Sequence, residues 1–357
     1  MTDFDKSEVH LLSASEIDEK DLVDFYRKTF PHRKNSLPKI WRWLNHTEFF
    51  NNDIPFVLRY KGDLIGHIGL RPVELLIDKE YVLAGWPIDF RVDQRYRNHG
   101  LGQILSRRLI NYTKIQLAFP NVNSYPLFKK IGWVDGGKIY THFMPIKPLD
   151  HPRFYAKIPV LIITLINVLV KPYFKARYKR LNKYEYIIQG ITNTIIDEFV
   201  TSRAVDNANC IKEGIIFPQR NLEYMKWRIL ASPNINKYFL FKTETISAIL
   251  LMNNNRGKYI DILSVSSFSD LQQVFDLVAS ICFFASNNNY SYVRICSSID
   301  YLSKLLNEKL KSRKKEYNFV YLIQDDRLKS RIANYKWFWE LIDSDFEYLE
   351  PLLTELQ

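Results

Sequence analysis

The stretch Phe90–Ile110, FRVDQRYRNHGLGQILSRRLI, decides how the chain is read. A strand-like run ending at Val92 passes through a basic turn straight into an amphipathic helix. Gly100 and Gly102 sit where a chain must turn sharply or let something approach its backbone. Leu101, Ile104, Leu105 and Leu109 recur at helical spacing, while Gln103, Arg107 and Arg108 point elsewhere. A strand, a tight loop and a helix N-terminus together make an anion site, because free backbone N–H groups converge there and the helix dipole adds positive charge. Two familiar phosphate loops fail on spacing. A Walker loop needs Lys and then Ser or Thr after its last glycine, and here Gln103 and Ile104 follow. The dinucleotide fingerprint needs a third glycine where Leu105 stands.

What remains is Arg97-Asn98-His99-Gly100-Leu101-Gly102. Before it come the extended stretches IPFVLRY, DLIGHIGLRP, VELLI and YVLAGWPIDFRV, with turn signals at Lys61-Gly62-Asp63 and Asp78-Lys79-Glu80. That is an antiparallel meander feeding the loop. After the helix come IQLAF and then PNVNSYPLFKKIGWV. The loop resembles the pyrophosphate loop of the GNAT superfamily of N-acyltransferases, and VDQRY resembles the strand end before it, with Gln94 in place of a proline. Asn121, Ser124, Leu127, Lys130, Gly132 and Trp133 match the same family's second landmark in order and spacing.

The resemblance implies an acyl-CoA co-substrate, acetyl-CoA or another, lying where two parallel strands separate. The backbone at Val92 would then meet pantetheine. Arg97, Asn98, His99, Gly100, Leu101 and Gly102 would hold the pyrophosphate, and Asn121 would lie beside the second strand's exit. Transfer would be direct, with no covalent enzyme intermediate and no metal. The tyrosine that many family members use as general acid falls on Phe128, which has no proton to give, so Tyr125 is the substitute candidate. Asp89, the only carboxylate inside the strand before the loop, is the candidate base, with Arg91 and Arg71 as alternative ion-pair partners for it. His67, within LIGHIGL, reads as a satisfied core histidine.

The chain has 357 residues, enough for two domains, and its 46% apolar and 15% aromatic content belongs to a folded protein. A net charge of +11 suits anionic partners. Cys210, Cys282 and Cys296 form no CxxC pair, so neither zinc nor a disulfide framework is indicated. The opening MTDFDKSEVHLLSASEIDEKD has no apolar signal core, and a reducing, cytoplasmic setting is expected.

Ile158 to Val170 is almost wholly apolar and Lys171 to Lys183 strongly basic. The run is too short for a bilayer span, which takes about 20 residues. An interdomain helix buried between two lobes is the expectation adopted. A peripheral membrane contact through 158–183 is the second reading. Beyond it, Trp227-Arg228 ahead of an extended segment echoes Trp41-Arg42, and GKYIDILSV, SDLQQVFDLVASICFFASNN and YSYVRICSS repeat strand, helix, strand, with WFWELIDSDFEYLE closing the copy. Between the first two, Ser264 to Ser269 contain no glycine. The expected fold is therefore α/β: two GNAT-like lobes, each a mostly antiparallel sheet flanked by helices. The divisions are 1–148 (acyl-CoA binding and catalysis), 149–185 (interdomain helix) and 186–357 (degenerate copy).

The expected acceptor is a small amine or amino sugar, touched by residues between Phe25 and Trp43, and DNA is not an expected partner. Two other classes compete. A Fem-type transferase drawing on aminoacyl-tRNA would suit the positive charge, but it has no need of the pyrophosphate loop. A non-catalytic acyl-CoA-binding or membrane-associated relic would suit Phe128.

Overall fold

The computed structural model describes residues 4–122, 124–149, 158–212, 214–253 and 258–343. The end of the closing segment WFWELIDSDFEYLE, residues 344–350, lies outside the described residues. The described residues fall into two compact units. The first takes in residues up to Leu75, Glu80–Gly137 and Asn318–Asn334. The second takes in Leu76–Lys79, Lys138–Tyr317 and the described residues from Tyr335 onward. This differs from the expected 1–148, 149–185 and 186–357. Residues 318–334 join the first unit because the Arg313–Ile323 strand pairs antiparallel with a strand there, Val320 opposite Ala118 and Ile323 opposite Ile115. Local sequence pattern identifies strands but not the neighbours they choose.

In the first unit the chain order is β1 (Val9–Ser13), α1 (Glu19–Thr29), α2 (Leu37–Leu44), β2 (Phe56–Tyr60), β3 (Asp63–Ile77), β4 (Glu80–Val92), α3 (Leu101–Leu109), β5 (Ile115–Ala118) and α4 (Tyr125–Lys130). The strands lie in the order β1-β2-β3-β4-β5, followed by Arg313–Ile323. DLIGHIGLRP and VELLI prove to be one strand of 15 residues. The β2–β3 turn has Lys61 and Gly62 both at positive φ, 47° and 89°, the backbone that matches the twist of a tight hairpin. The apolar face of α3 supplies Leu101, Leu105 and Leu109, which pack with Phe56, Leu58, Ile65, Ile68 and Leu70 of the sheet. The helix is thereby fixed against β2 and β3, and its N-terminus stands at the end of β4.

The second unit contains most of β6 (Val134–Pro145), the Val160–Leu181 helix, β7 (Ile187–Gly190), the Asn193–Lys212 helix, β8 (Ile215–Pro218), β9 (Tyr238–Lys242), β10 (Ser247–Asn253), β11 (Tyr259–Val265), the Leu271–Asn287 helix and β12 (Tyr292–Ser297). β7, β9, β10 and β11 are successive antiparallel neighbours, whereas β11 and β12 are parallel and β12 is antiparallel to β6. Its core joins Val274, Leu277, Val278 and Ile281 of the Leu271–Asn287 helix to Leu250, Ile260 and Ile262 of the sheet. β4-α3-β5 in one unit and β11-helix-β12 in the other are thus the same parallel crossover.

Candidate active site

The loop after β4 is built by two left-handed residues. Asn98 has φ 69° and Gly100, the N-cap of α3, has φ 75°, a region that glycine and, less readily, asparagine enter. The N–H groups of Asn98, His99, Gly100, Leu101 and Gly102 have no hydrogen-bond partner among the described residues. No side chain among the described residues caps α3. Five donors at the positive end of a helix dipole are therefore left without a protein partner among the described residues. Gly102 serves a different end. A Cβ there would stand 3.2 Å from the tip of the Phe90 ring, so this glycine lets helix and strand pack closely.

Cations gather around the loop. The ammonium of Lys6 lies 3.5 Å from where a Cβ on Gly100 would stand. Arg97 folds back, its Nε donating to the Val92 carbonyl at 3.2 Å, which also occupies a backbone acceptor expected to meet pantetheine. Burial, and then the neighbouring charge of Arg97, lower the pKa of Arg91. His99 packs on Phe4, with ring centroids 4.4 Å apart.

β4 and β5 pair only at Ala84–Ile115 and Gly85–Gln116, and beyond that point they part. At the apex Gln116 is buried, and neither its Oε1 nor its Nε2 has a partner among the described residues. A buried amide left unpaired is costly, and this one stands where the two strands cease to pair. The polar residue in the otherwise apolar IQLAF run was the available sequence signal.

Asp89 lies on the strand beside this opening, with φ 50°, strained for a non-glycine residue inside a strand. Its carboxylate is bound by Arg33, both side chains being largely buried. Neither Arg91 nor Arg71 is its partner, and nothing in the sequence links positions 56 residues apart. The Asp89 carbonyl accepts from His67 Nδ1 at 2.9 Å, so His67 carries its proton there. Nε2 then accepts the Tyr26 hydroxyl, also at 2.9 Å. Full burial lowers the His67 pKa to about 4, and the ring is neutral at physiological pH. Because the chain of bonds ends on a carbonyl, it holds the strained backbone of Asp89 rather than relaying protons. Phe25, Tyr26, Leu37, Ile40 and Trp41 are core residues. Of the stretch expected to touch an acceptor, Arg33 is the side chain that reaches Asp89.

At the second landmark, Asn121 Oδ1 accepts from the Ser124 N–H at 2.9 Å and its own N–H donates to Ser124 Oγ at 3.0 Å, closing the turn into α4. Phe128 is buried with Ala118, Trp133 and Val320, its ring 4.5 Å from that of Trp133. The position is committed to packing. Tyr125 is half-buried and donates its hydroxyl to Asp135 Oδ2 at 2.8 Å, a bond that raises its pKa.

The corresponding fork of the second unit is filled. β11–β12 pairing ends at Ile262–Ile295. Past it the Val265 N–H donates to Glu340 Oε1 at 2.7 Å and Ser264 Oγ to Oε2 at 3.0 Å. Arg203 and Arg220 flank Glu340 at 3.0 and 3.2 Å, and Arg220 also grips Asp343. All four charged side chains are buried. The following helix is capped by Asp270, whose Oδ1 accepts from Gln272 and Gln273 N–H.

A sequence model of the Acetyltransferase (GNAT) family matches residues 19–133. No curated protein matches the chain by sequence. Among solved structures, the GCN5-related N-acetyltransferase of Kribbella flavida is similar over 89% of this chain and 72% of its own, with TM-score 0.57 and 12% identity. That of Anabaena variabilis is similar over 89% and 73%, with TM-score 0.57 and 13% identity. The Saccharomyces cerevisiae N-myristoyltransferase with bound myristoyl-CoA is similar over 88% and 83%, with TM-score 0.58 and 12% identity. Residues 19–133 match the GNAT acetyltransferase family, and that match together with the shared fold supports an acyl-CoA-dependent N-acyltransferase.

Proposed function

We propose that this enzyme transfers an acetyl or other acyl group from coenzyme A to a small amine or amino sugar, directly and at the first unit's fork. The observation that carries this reading is the run of five unpartnered N–H groups from Asn98 to Gly102 at an uncapped helix N-terminus, with Lys6 beside it. A pyrophosphate would accept those donors, with Arg97 close by and Leu101 contributing its backbone. The orphaned amide of Gln116 would pair with an amide of the pantetheine arm. In this reading Val92 and Asn121 frame the strand ends, and the Asn121 side chain acts through the α4 turn.

In the transfer, the acceptor nitrogen attacks the thioester carbonyl, a C–N bond forms, the C–S bond breaks and coenzyme A leaves as a thiolate. The nitrogen's proton goes to Asp89, directly or through water, Arg33 having engaged one carboxylate oxygen and left the other. A thiol with a pKa of about 8.5 departs without a protein acid, and helix-end N–H groups stabilise the anion. Tyr125, turned toward Asp135, is not needed for it. We assign the enzyme to a cytoplasmic setting in which acyl-CoA is available.

Asp89→Asn is the decisive substitution, because asparagine tolerates left-handed φ and keeps the side-chain shape. It is expected to lower kcat by at least about 10²-fold with acyl-CoA affinity retained. Unchanged kcat would remove Asp89 from the chemistry.

A further inference from the structure

The Val160–Leu181 helix leaves many of its apolar residues exposed. Leu161 is 81% exposed, Leu165 59%, Val168 62% and Leu169 69%, and Val160, Ile162 and Tyr173 are exposed as well. This is half of the exposed large apolar side chains among the described residues, gathered on one element. Positions 161, 165, 168 and 169 share a helical face, and Pro172 and Ala176 continue it. The opposite face is anchored within its own unit. Ile163, Asn167 and Tyr178 are buried, Phe174 and Leu181 pack on the core, and Tyr178 donates its hydroxyl to the Pro145 carbonyl at 2.7 Å. The exposed face is therefore held in place rather than waiting to fold inward, whereas the expectation was an interdomain helix buried between two lobes.

Charge selects the occupant. From Lys171 to Lys183 stand six basic residues and no acidic one. Arg177 is bonded to the Lys309 carbonyl and Lys183 to Asp276. Lys171, Lys175, Lys179 and Arg180 have no ion-pair partner among the described residues. Lys175, Lys179 and Arg180 are exposed and border the apolar face in the last turns of the helix. No helix among the described residues is long and apolar enough to cross a membrane.

We propose that this face docks on an anionic lipid bilayer, lying in its interface. The leucines, Val168 and Tyr173 enter the acyl boundary, while the flanking lysines and Arg180 reach lipid phosphates. A protein groove would match the apolar face alone. An anionic interface matches both the face and its basic border, which lie side by side on one helix. The surface belongs wholly to the second unit and does not depend on the acyl-transfer site.

The test is co-sedimentation of the full chain with vesicles of phosphatidylcholine alone and with about one third phosphatidylglycerol. Binding is expected to the anionic vesicles, weakened by salt. Leu165→Asp with Leu169→Asp should weaken it at least about tenfold. Lys175→Glu with Lys179→Glu and Arg180→Glu should weaken it at least about 30-fold, since each basic residue near an anionic surface contributes on the order of fivefold. These positions are exposed, and melting curves of both variants check that folding is kept. No binding to anionic vesicles, or leucine variants that bind as the parent does, would overturn the proposal. So would a dimer in solution that becomes monomeric in the leucine variant while vesicles bind neither protein, which would assign the face to a second copy of the chain.

Discussion

Both units contain a parallel strand pair joined by a helix, and both pairs part at their C-terminal ends. In the first, among the described residues, the helix that follows is uncapped, five N–H groups lack partners and a buried glutamine amide is unpaired at the apex. In the second, the Asp270 carboxylate caps the helix and the Glu340 carboxylate takes the strand's N–H, with Arg203, Arg220 and Asp343 completing a buried ionic cluster. One fork offers donors to an anion from outside, whereas the other satisfies them with the chain's own carboxylates. A crossover of this kind leaves unpaired backbone groups wherever its strands diverge, and something must meet them. What distinguishes a binding copy from a structural one is whether the chain itself supplies the partner.

The largest expected effect tests the filled fork. Glu340→Gln keeps the shape and removes the charge between two buried guanidinium groups. It should destabilise the protein by about 3–5 kcal/mol, the range for breaking a buried ion pair from one side, measured by urea unfolding at neutral pH. A loss below about 1 kcal/mol would mean that the cluster does not hold the fork.

The next effect concerns pH, and here the units should behave alike. Among the described residues each contains one deeply buried histidine, His67 in the first and His142 in the second, and burial lowers the pKa of both to about 4. In the unfolded chain they titrate near 6.5. Between these values the unfolded state binds more protons. Stability is thus fully present above pH 6.5 and is lost as pH falls toward 4. Each histidine should account for about 2 kcal/mol between pH 7 and pH 5. His142→Gln should reduce that loss by its own share. An unaltered pH slope in this variant would show that His142 titrates normally in the folded protein.

The smallest effect is in the open fork. Tyr125→Phe removes a hydroxyl that donates to Asp135, and kcat should fall less than about threefold. A fall of about 10²-fold or more would restore Tyr125 as the general acid.

Much of the first unit was legible because its evidence is local. The Arg97–Gly102 loop, the helical spacing of Leu101, Leu105 and Leu109, and the turns at Lys61-Gly62 and Asp78-Lys79 each depend on neighbours within a few residues. The repeat in the second half was legible for the same reason, down to the strand, helix and strand from Tyr259 to Ser297. The contacts that finish each site were not. Arg33 meets Asp89, Glu340 meets Val265, and residues 318–334 join the first unit, all across separations that no periodicity encodes. Even the echo of Trp41-Arg42 in Trp227-Arg228 reverses in space, since Trp41 is buried in one and Arg228 in the other. The helix from Val160 misled for a related reason. An apolar run reports that a side chain avoids water, not what it meets instead.

The central claim is that one fork binds acyl-CoA and the other does not, and calorimetric titration of the full chain with acetyl-CoA tests it most directly. The account predicts one equivalent per chain. In Gly100→Val, where a β-branched residue must adopt φ near 75°, affinity should fall by at least about 10²-fold, because the loop can no longer aim its N–H groups at phosphate. Two equivalents per chain, or one equivalent bound with parental affinity by the folded Gly100→Val protein, would contradict it.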